Sequence, residues 1–158
     1  MSDNDIFTII RRDSVETFIE RLKEVDLAIV AHGGRSMLHM AIAYERSQHA
    51  EQLILRGINL DLQDKDGKTP LHYAAIHKQL HTAQLLVKRG ADQSICDKYG
   101  NAALWCAVFN ARGQYELVQL YVSAGGMATH KNKSGRSPLD FAKQIGDTKL
   151  QEVLTAKE

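Results

Sequence analysis

Three features that identify other classes of protein are scarce in this 158-residue sequence: cysteine, an excess of charge of one sign, and long apolar runs. Cys96 and Cys106 are the two cysteines, and their spacing matches no metal-binding motif. We therefore expect two reduced thiols in an intracellular protein. The 20 basic and 19 acidic side chains leave a net charge of +1, which argues against a nucleic-acid partner.

Targeting and membrane signals are also missing. Residues 1–5 lack the basic region of a signal peptide, and no long apolar stretch follows them. The sequence therefore predicts neither a cleaved signal peptide nor contact with a membrane, and it favours a cytoplasmic location. The alternative is an effector exported by a route that leaves no such signal.

What the sequence does contain is an internal repeat. Gly34, Gly67 and Gly100 are spaced by 33 residues, and Gly135 follows after 35. The segments after these glycines align over 35–41, 68–74, 101–107 and 136–142. Self-similarity at this period is the signature of a solenoid built from stacked units.

Each unit reads as two helices and a turn. Thr69 followed by Pro70 is typical of a helix start, and leucine and alanine then recur three residues apart on one helix face. Second helices are predicted over 81–88 and 116–122. The residues in the shared slots, with the glycines that follow the second helices, are Leu38, Leu71, Leu104, Leu139, Ala41, Ala74, Ala107, Ala142, Gly57, Gly90 and Gly125.

The segment 69–74, with the sequence TPLHYA and with Gly90-Ala91-Asp92 behind it, resembles the ankyrin repeat. The resemblance implies an all-α repeat solenoid of about five units, each a helix-turn-helix with a hairpin or loop. We expect one array over 1–158. It comprises a degenerate N-terminal cap (1–30), repeats at 31–63, 64–96 and 97–131, and a C-terminal cap repeat (132–158).

In the N-terminal cap, two short amphipathic helices are predicted over 5–11 and 13–23. Their inward-facing side chains are predicted to be Phe7, Ile10, Phe18, Ile19 and Leu22.

No motif for chemistry is found. The segment 67–69 resembles the end of a phosphate-binding loop, but position 62 is leucine where that motif needs glycine. His77 and His81 have the spacing of two metal ligands, yet they straddle the expected break between helices, and a metal-free surface pair is expected. The spacing suggests neither a Ser-His-Asp nor a Cys-His arrangement. The sequence thus predicts no enzyme activity, no cofactor and no metal.

The resemblance implies a structural role for His39 and His72, whose imidazoles would bond backbone around the inter-repeat loops. Trp105 and Asp140 fill the same slot in the last two units. Trp105 is either a partly buried packing residue or a binding hot spot.

The resemblance further implies that a protein partner binds a concave surface. It is made of the turns at 31–35, 64–68, 97–101 and 132–136, which we call the fingers, and of the first helices, which we call the palm. The predicted partner-binding residues are His32, Arg35, Lys65, Asp66, Lys68, Lys98, Tyr99, Asn101, Lys133 and Arg136 on the fingers, and Tyr44, Ile76, His77, Phe109 and Asn110 on the palm, with Arg112 in the adjoining turn. Ile76 and Phe109 could instead pack between neighbouring units.

Two further features bear on the partner. The fingers carry a net charge of +3, which favours a partner with an acidic patch. The fourth unit (97–131) has two extra residues in its turn around 109–113, and Ala102 and Ala103 stand where the third unit has Thr and Pro. We interpret this irregular unit as a specialised contact.

The sequence therefore predicts a non-catalytic protein–protein interaction module, a monomer in isolation that acts as a stand-alone inhibitor or adaptor for one partner. One version is an immunity protein that neutralises a toxin. The alternatives are a host-directed effector or a regulatory scaffold, and, less favoured, a ligand- or nucleotide-binding protein.

Overall fold

The computed structural model describes residues 4–156, with side chains from residue 6 onward. Residues 1–3 and 157–158 of the predicted array lie outside this range. The described residues form ten α-helices and one two-stranded antiparallel ribbon. The elements are α1 (Asn4–Arg12), α2 (Val15–Arg21), β1 (Val30–Ala31), β2 (Arg35–Ser36), α3 (Met37–Ala43), α4 (Ser47–Leu55), α5 (Pro70–Ile76), α6 (Leu80–Lys88), α7 (Ala103–Asn110), α8 (Glu116–Ser123), α9 (Pro138–Gln144) and α10 (Thr148–Thr155).

The helices form two layers. Odd-numbered helices pack in the order α1, α3, α5, α7, α9, and even-numbered helices pack in the order α2, α4, α6, α8, α10. Each odd helix also contacts the even helix that follows it, so the chain is a stack of five helix pairs. One hydrophobic core runs through the stack and contains the predicted leucines and alanines of the repeat slots, except that Leu139 is only partly buried. The predicted repeat solenoid is confirmed.

The starts of three odd helices show why this sequence folds as it does. Ser36, Thr69 and Ser137 are N-caps, and in each case the residue three positions later bonds back to complete a capping box. Pro70 and Pro138 occupy the first turn, where a missing N–H costs nothing. In α7 the N-cap is Ala102, which makes no side-chain hydrogen bond.

His39 links the second unit to the third, and His72 links the third to the fourth, as predicted. The backbone N–H groups of Ser36 and Thr69 donate to the respective Nδ1 atoms at 3.1 Å, which leaves the proton on Nε2. Nε2 of His39 then donates to the carbonyl of Lys68, and Nε2 of His72 to that of Asn101, both at 2.9 Å. Burial lowers the pKa of both imidazoles, which keeps them neutral.

The fingers are tight turns joined edge to edge by backbone bonds. Only the finger at 31–35 lies in a ribbon within the described residues, with Ala31 paired to Arg35. The bonds between successive fingers run from the N–H of Lys65 to the carbonyl of Gly33 (2.8 Å), from Lys98 to Asp66 (2.8 Å) and from Lys133 to Tyr99 (3.0 Å).

The close approach of the fingers explains one glycine. At Gly67 (φ 78°) a Cβ atom would lie 2.9 Å from the backbone nitrogen of Lys98, so a larger residue would push the next finger away.

The two ends of the stack close the core. At the N-terminus Ile10, Phe18 and Leu22 are buried as predicted, whereas Phe7 and Ile19 are only partly buried. Ile6 and Ile9, which were not among the predicted inward-facing residues, are buried as well. The predicted second helix, 13–23, is shorter in the structure: Ser14 caps its start and Leu22 is its C-cap, so the helix spans only Val15–Arg21. At the C-terminus, the buried residues of α10 are Leu150, Val153 and Leu154.

Candidate functional site

The palm presents aromatic and aliphatic side chains near the C-terminal ends of the odd helices. Phe109 is 60% exposed, Ile145 53% and Tyr44 39%. Phe109 therefore does not simply pack between units, although its ring rests on Phe141 with the centroids 5.5 Å apart. Ile76 is half-buried against the core, which agrees with the packing alternative for that residue.

Aromatic contacts that the sequence did not reveal organise the palm. Tyr73 lies between His39, at 4.9 Å between ring centroids, and His77, at 6.2 Å. Trp105 is half-buried and lies 5.9 Å from Phe141 of the next unit, so packing is the better description of its environment. Tyr73 and Phe141 occupy equivalent repeat positions, each directly before the repeat alanine. An aromatic residue at this position in two units is the sequence signal that could have predicted these contacts.

Two predicted palm residues lie at helix ends and make contacts within the fold. The side-chain amide of Asn110 donates to the carbonyl of Cys106 at 2.8 Å and so finishes the end of α7. His77 is the C-cap of α5 and is half-buried beside Tyr73. The sequence showed neither contact, because each depends on how the helix ends.

The fingers carry a small network of charges. Nζ of Lys98 lies 2.6 Å from one carboxylate oxygen of Asp66, and Nζ of Lys68 lies 3.9 Å from the other. The bond to Lys98 lowers the pKa of Asp66 and raises that of Lys98. Lys98 also lies over the ring of Tyr99, 5.0 Å from its centroid, and Tyr99 remains 55% exposed.

Other acidic side chains in the fingers hold the turns together. Oδ1 of Asp64 accepts the N–H groups of Asp66 and Lys68, both at 2.9 Å, and Oδ2 accepts the hydroxyl of Tyr73 at 2.8 Å. In the next finger, Oδ1 of Asp97 accepts the backbone N–H groups of Tyr99 and Asn101. These local hydrogen bonds stabilise the two turns, and they occupy carboxylate oxygens that could otherwise accept from a partner.

The remaining predicted finger residues are mostly exposed. His32, Arg35, Lys65 and Arg112 are exposed to solvent. Lys133 is exposed and donates to the carbonyl of Lys98 at 2.6 Å.

The last finger reaches the palm, whereas Asn101 is tied to the next finger. The guanidinium of Arg136 bonds to Oε1 of Gln144 at the end of α9. Oδ1 of Asn101 accepts from the side-chain amide of Asn132 at 2.9 Å, so Asn101 links two fingers and has less freedom to meet a partner.

At the N-terminal end of the palm lies an open groove of about 340 Å³. The guanidinium of Arg11 lies 5.9 Å from the centroid of the Tyr44 ring, which is cation–π distance. The sequence did not predict this groove, because it forms between the cap and the second unit. Its lining residues are Phe7, Thr8, Arg11, Arg12, Met40 and Tyr44.

One Cys-His contact corrects the expectation from spacing. Sγ of Cys96 lies 3.4 Å from Nε2 of His130, a residue of the next unit. Burial raises the pKa of the Cys96 thiol, and it raises that of Cys106 to about 12. Both sulfurs therefore stay protonated and poorly nucleophilic near neutral pH.

Other sites weighed from the sequence have plain structural descriptions. Thr69 caps α5 through His72. His77 ends α5 and His81 lies in the next helix, as predicted from the break between them. Among the side chains that the structure describes, those of residues 6–156, no group of three or more His, Cys, Asp or Glu residues is arranged to hold a metal ion. None of the described helices is long and apolar enough to cross a membrane.

Stacked helix pairs, edge-joined fingers and an exposed palm define the chain as a helical-repeat protein whose outer surfaces are arranged for recognition. A family model described as ankyrin repeats, in three copies, matches residues 38–126, more than half of the sequence. The chain belongs to the ankyrin-repeat family, whose members are generally non-catalytic protein–protein interaction modules. No curated protein matches the sequence.

Proposed function

We propose that this chain is a dedicated inhibitor or adaptor that captures one protein partner on the palm and fingers. The observation that carries the proposal is the exposure of Tyr44, Phe109 and Ile145 near the C-terminal ends of α3, α7 and α9. Exposed aromatic and aliphatic side chains with charged residues beside them are typical of the centre and rim of a protein interface.

The location of the protein, its oligomeric state and the chemistry of its partner are proposed from the composition and from the charge of the fingers. The protein acts as a monomer in the cytoplasm, where its two free cysteines stay reduced. Its partner presents acidic groups to the basic fingers. One specific form is an immunity protein that occludes a toxin; a host-directed effector and a regulatory scaffold use the same surface in other settings.

The proposal is tested by affinity capture from the native cell with the tagged chain and two variants. Tyr44→Ala combined with Phe109→Ala removes the exposed palm aromatics. The matched control, Leu55→Ala, removes a side chain that is 49% exposed on α4 in the other layer. We expect one stoichiometric partner with the original chain and the control, and loss of it with the double variant. Equal capture by all three chains contradicts the palm assignment.

The rival hypothesis of a ligand- or nucleotide-binding protein is tested separately. The melting temperature is measured with nucleotides and with divalent metal ions at modest concentration. Tight binding to the folded state raises the melting temperature by mass action. We expect no shift, and a large rise would favour the rival.

A further inference from the structure

We propose that the partner element bound here is an extended acidic segment with one large apolar side chain. The apolar side chain seats on Phe109, and the acidic groups face the fingers of the last units. This inference rests on the proposed function, since it specifies the chemistry of the partner for the same surface.

The seat for the apolar side chain is a supported aromatic platform. Phe109 has most of its surface exposed, yet its ring lies 5.5 Å from that of Phe141, which lies 5.9 Å from that of Trp105. A ring held from behind loses little conformational freedom when a partner binds. Exposed aromatic anchors of this kind contribute much of the binding energy at protein interfaces.

Beside this platform the fingers present basic side chains in two columns. The columns follow from the repeat, because equivalent positions of successive fingers are held in register by the backbone bonds between them. The first column contains His32, Lys65, Lys98 and Lys133. The second contains Arg35, Lys68 and Arg136, and it is interrupted in the fourth unit by the neutral Asn101.

The acidic groups of the same fingers are already engaged. Asp64 and Asp97 accept backbone N–H groups of their own turns, and Asp66 pairs with Lys98. By contrast, among the described side chains (residues 6–156) no ion pair involves the exposed cations Arg35, Lys65, Lys133 and Arg136. The charge left for a partner is therefore positive, and a carboxylate placed opposite it would form charge-assisted hydrogen bonds.

A protein segment fits these observations better than a nucleic acid. Besides its aromatic rings, the palm presents the aliphatic side chains of Ile76 and of Ile145, which is 53% exposed. The whole chain has a net charge of only +1, whereas nucleic-acid binding relies on a strong excess of basic groups.

The test titrates four probes into the intact chain and follows Trp105, the single tryptophan, by fluorescence. The probes are a glutamate-rich peptide with a central leucine, the same peptide with glutamine for glutamate, the acidic peptide with glycine for the leucine, and oligothymidylate. We expect the first peptide to bind at least about tenfold more tightly than the other three, and to weaken as salt is raised.

Variants then locate the site. Lys133→Glu with Arg136→Glu should raise the Kd of the first peptide about tenfold, and Phe109→Ala should raise it about fivefold. The control, Arg56→Glu with Arg89→Glu, makes the same charge change at exposed C-caps of α4 and α6 and should leave the Kd unchanged. Circular dichroism checks that each variant is folded, and the peptide and salt comparisons need no substitution.

Several outcomes overturn the inference: equal affinity for the glutamine peptide, tighter binding of oligothymidylate, or insensitivity to the finger reversal. A native partner that needs Phe109 but ignores both salt and the finger reversal would also overturn it. In that case the protein-binding function would stand, whereas loss of palm dependence altogether would remove the proposed function as well.

Discussion

The third and fourth units, 64–96 and 97–131, differ in how their first helices begin. Helix α5 starts with Thr69, Pro70 and a capping box closed by His72. Helix α7 starts with Ala102 and no side-chain cap, and Trp105 stands in the histidine slot. Both helices are buried to a similar extent, so packing against neighbours replaces what local capping does not supply.

The comparison teaches that the first helix of one unit is capped by side chains of its own unit, whereas the first helix of the other begins without a cap and is held by its neighbours. Phe141 contacts Trp105 from the fifth unit, and Tyr121 is fully buried with its hydroxyl donating to the carbonyl of Leu71 in the third unit at 2.9 Å. The fourth unit is free to carry an unusual residue at the palm because the units on both sides support it.

The largest expected change in the free energy of unfolding comes from removing His72, the histidine of the third unit. His72→Ala deletes the bonds to Thr69 and Asn101 and leaves buried polar groups unpaired, so the free energy of unfolding should fall by about 3 kcal/mol. Trp105→Ala should cost about half as much, because that side chain is half-buried and makes no hydrogen bond that other groups depend on. Urea unfolding of both variants checks the ranking, and a larger loss for Trp105→Ala would contradict it.

Acidification should lower the free energy of unfolding by a smaller amount, through the buried histidines of the second and third units. The folded state lowers the pKa of His39 and His72 below 6.5, so the unfolded chain binds protons first as pH falls. Their contribution to stability is complete above pH 6.5 and is lost as the pH falls from there toward the folded-state pKa. The limiting slope is about 1.4 kcal/mol per pH unit for each proton taken up on unfolding.

Burial lowers the pKa of His49 in the same direction, so a control is needed. His72→Gln cannot titrate, and it should reduce the slope of unfolding free energy against pH between pH 7.5 and 5. An unchanged slope in this variant would show that His72 does not contribute.

The smallest expected effect is a gain in stability from a substitution in the irregular fourth unit. Ala102→Thr supplies the missing N-cap of α7 and should raise the free energy of unfolding by about 1 kcal/mol. Thermal melting measures the gain, and Ala103→Pro is a separate variant that tests the first helical position. A loss of stability on Ala102→Thr would show that the start of α7 is shaped by packing that excludes a hydroxyl.

The sequence predicted the fold well because the repeat makes each unit evidence for the others. Glycines at a fixed period, capping residues before Leu38 and Leu71, and histidines three residues after the cap all have local causes. These signals located the helix pairs, and the resemblance to the ankyrin repeat supplied the expectation that His39 and His72 bond to backbone. The N-terminal cap was less predictable, because its sequence does not repeat and its burial depends on what α3 and α4 present to it.

The candidate site was predicted only in outline. Repeat register placed Phe109, Tyr44 and the finger cations on the surface, but it could not show contacts between units. The distances from Phe141 to Trp105 and from Cys96 to His130 depend on how units stack, and local sequence carries no such information. For the same reason, the sequence did not show that Asn101 and Asn110 use their side-chain amides within the fold.

The backbone bonds between fingers have a mechanical consequence. Each one links a finger only to its neighbour, at Lys65, Lys98 and Lys133, so the bonds act as springs in series. A pull on the two ends of the array would load them all equally and extend the stack gradually. A pull on one finger alone would load only the bonds on either side of it. The array is therefore compliant along its length, while each finger is stiff relative to its neighbours.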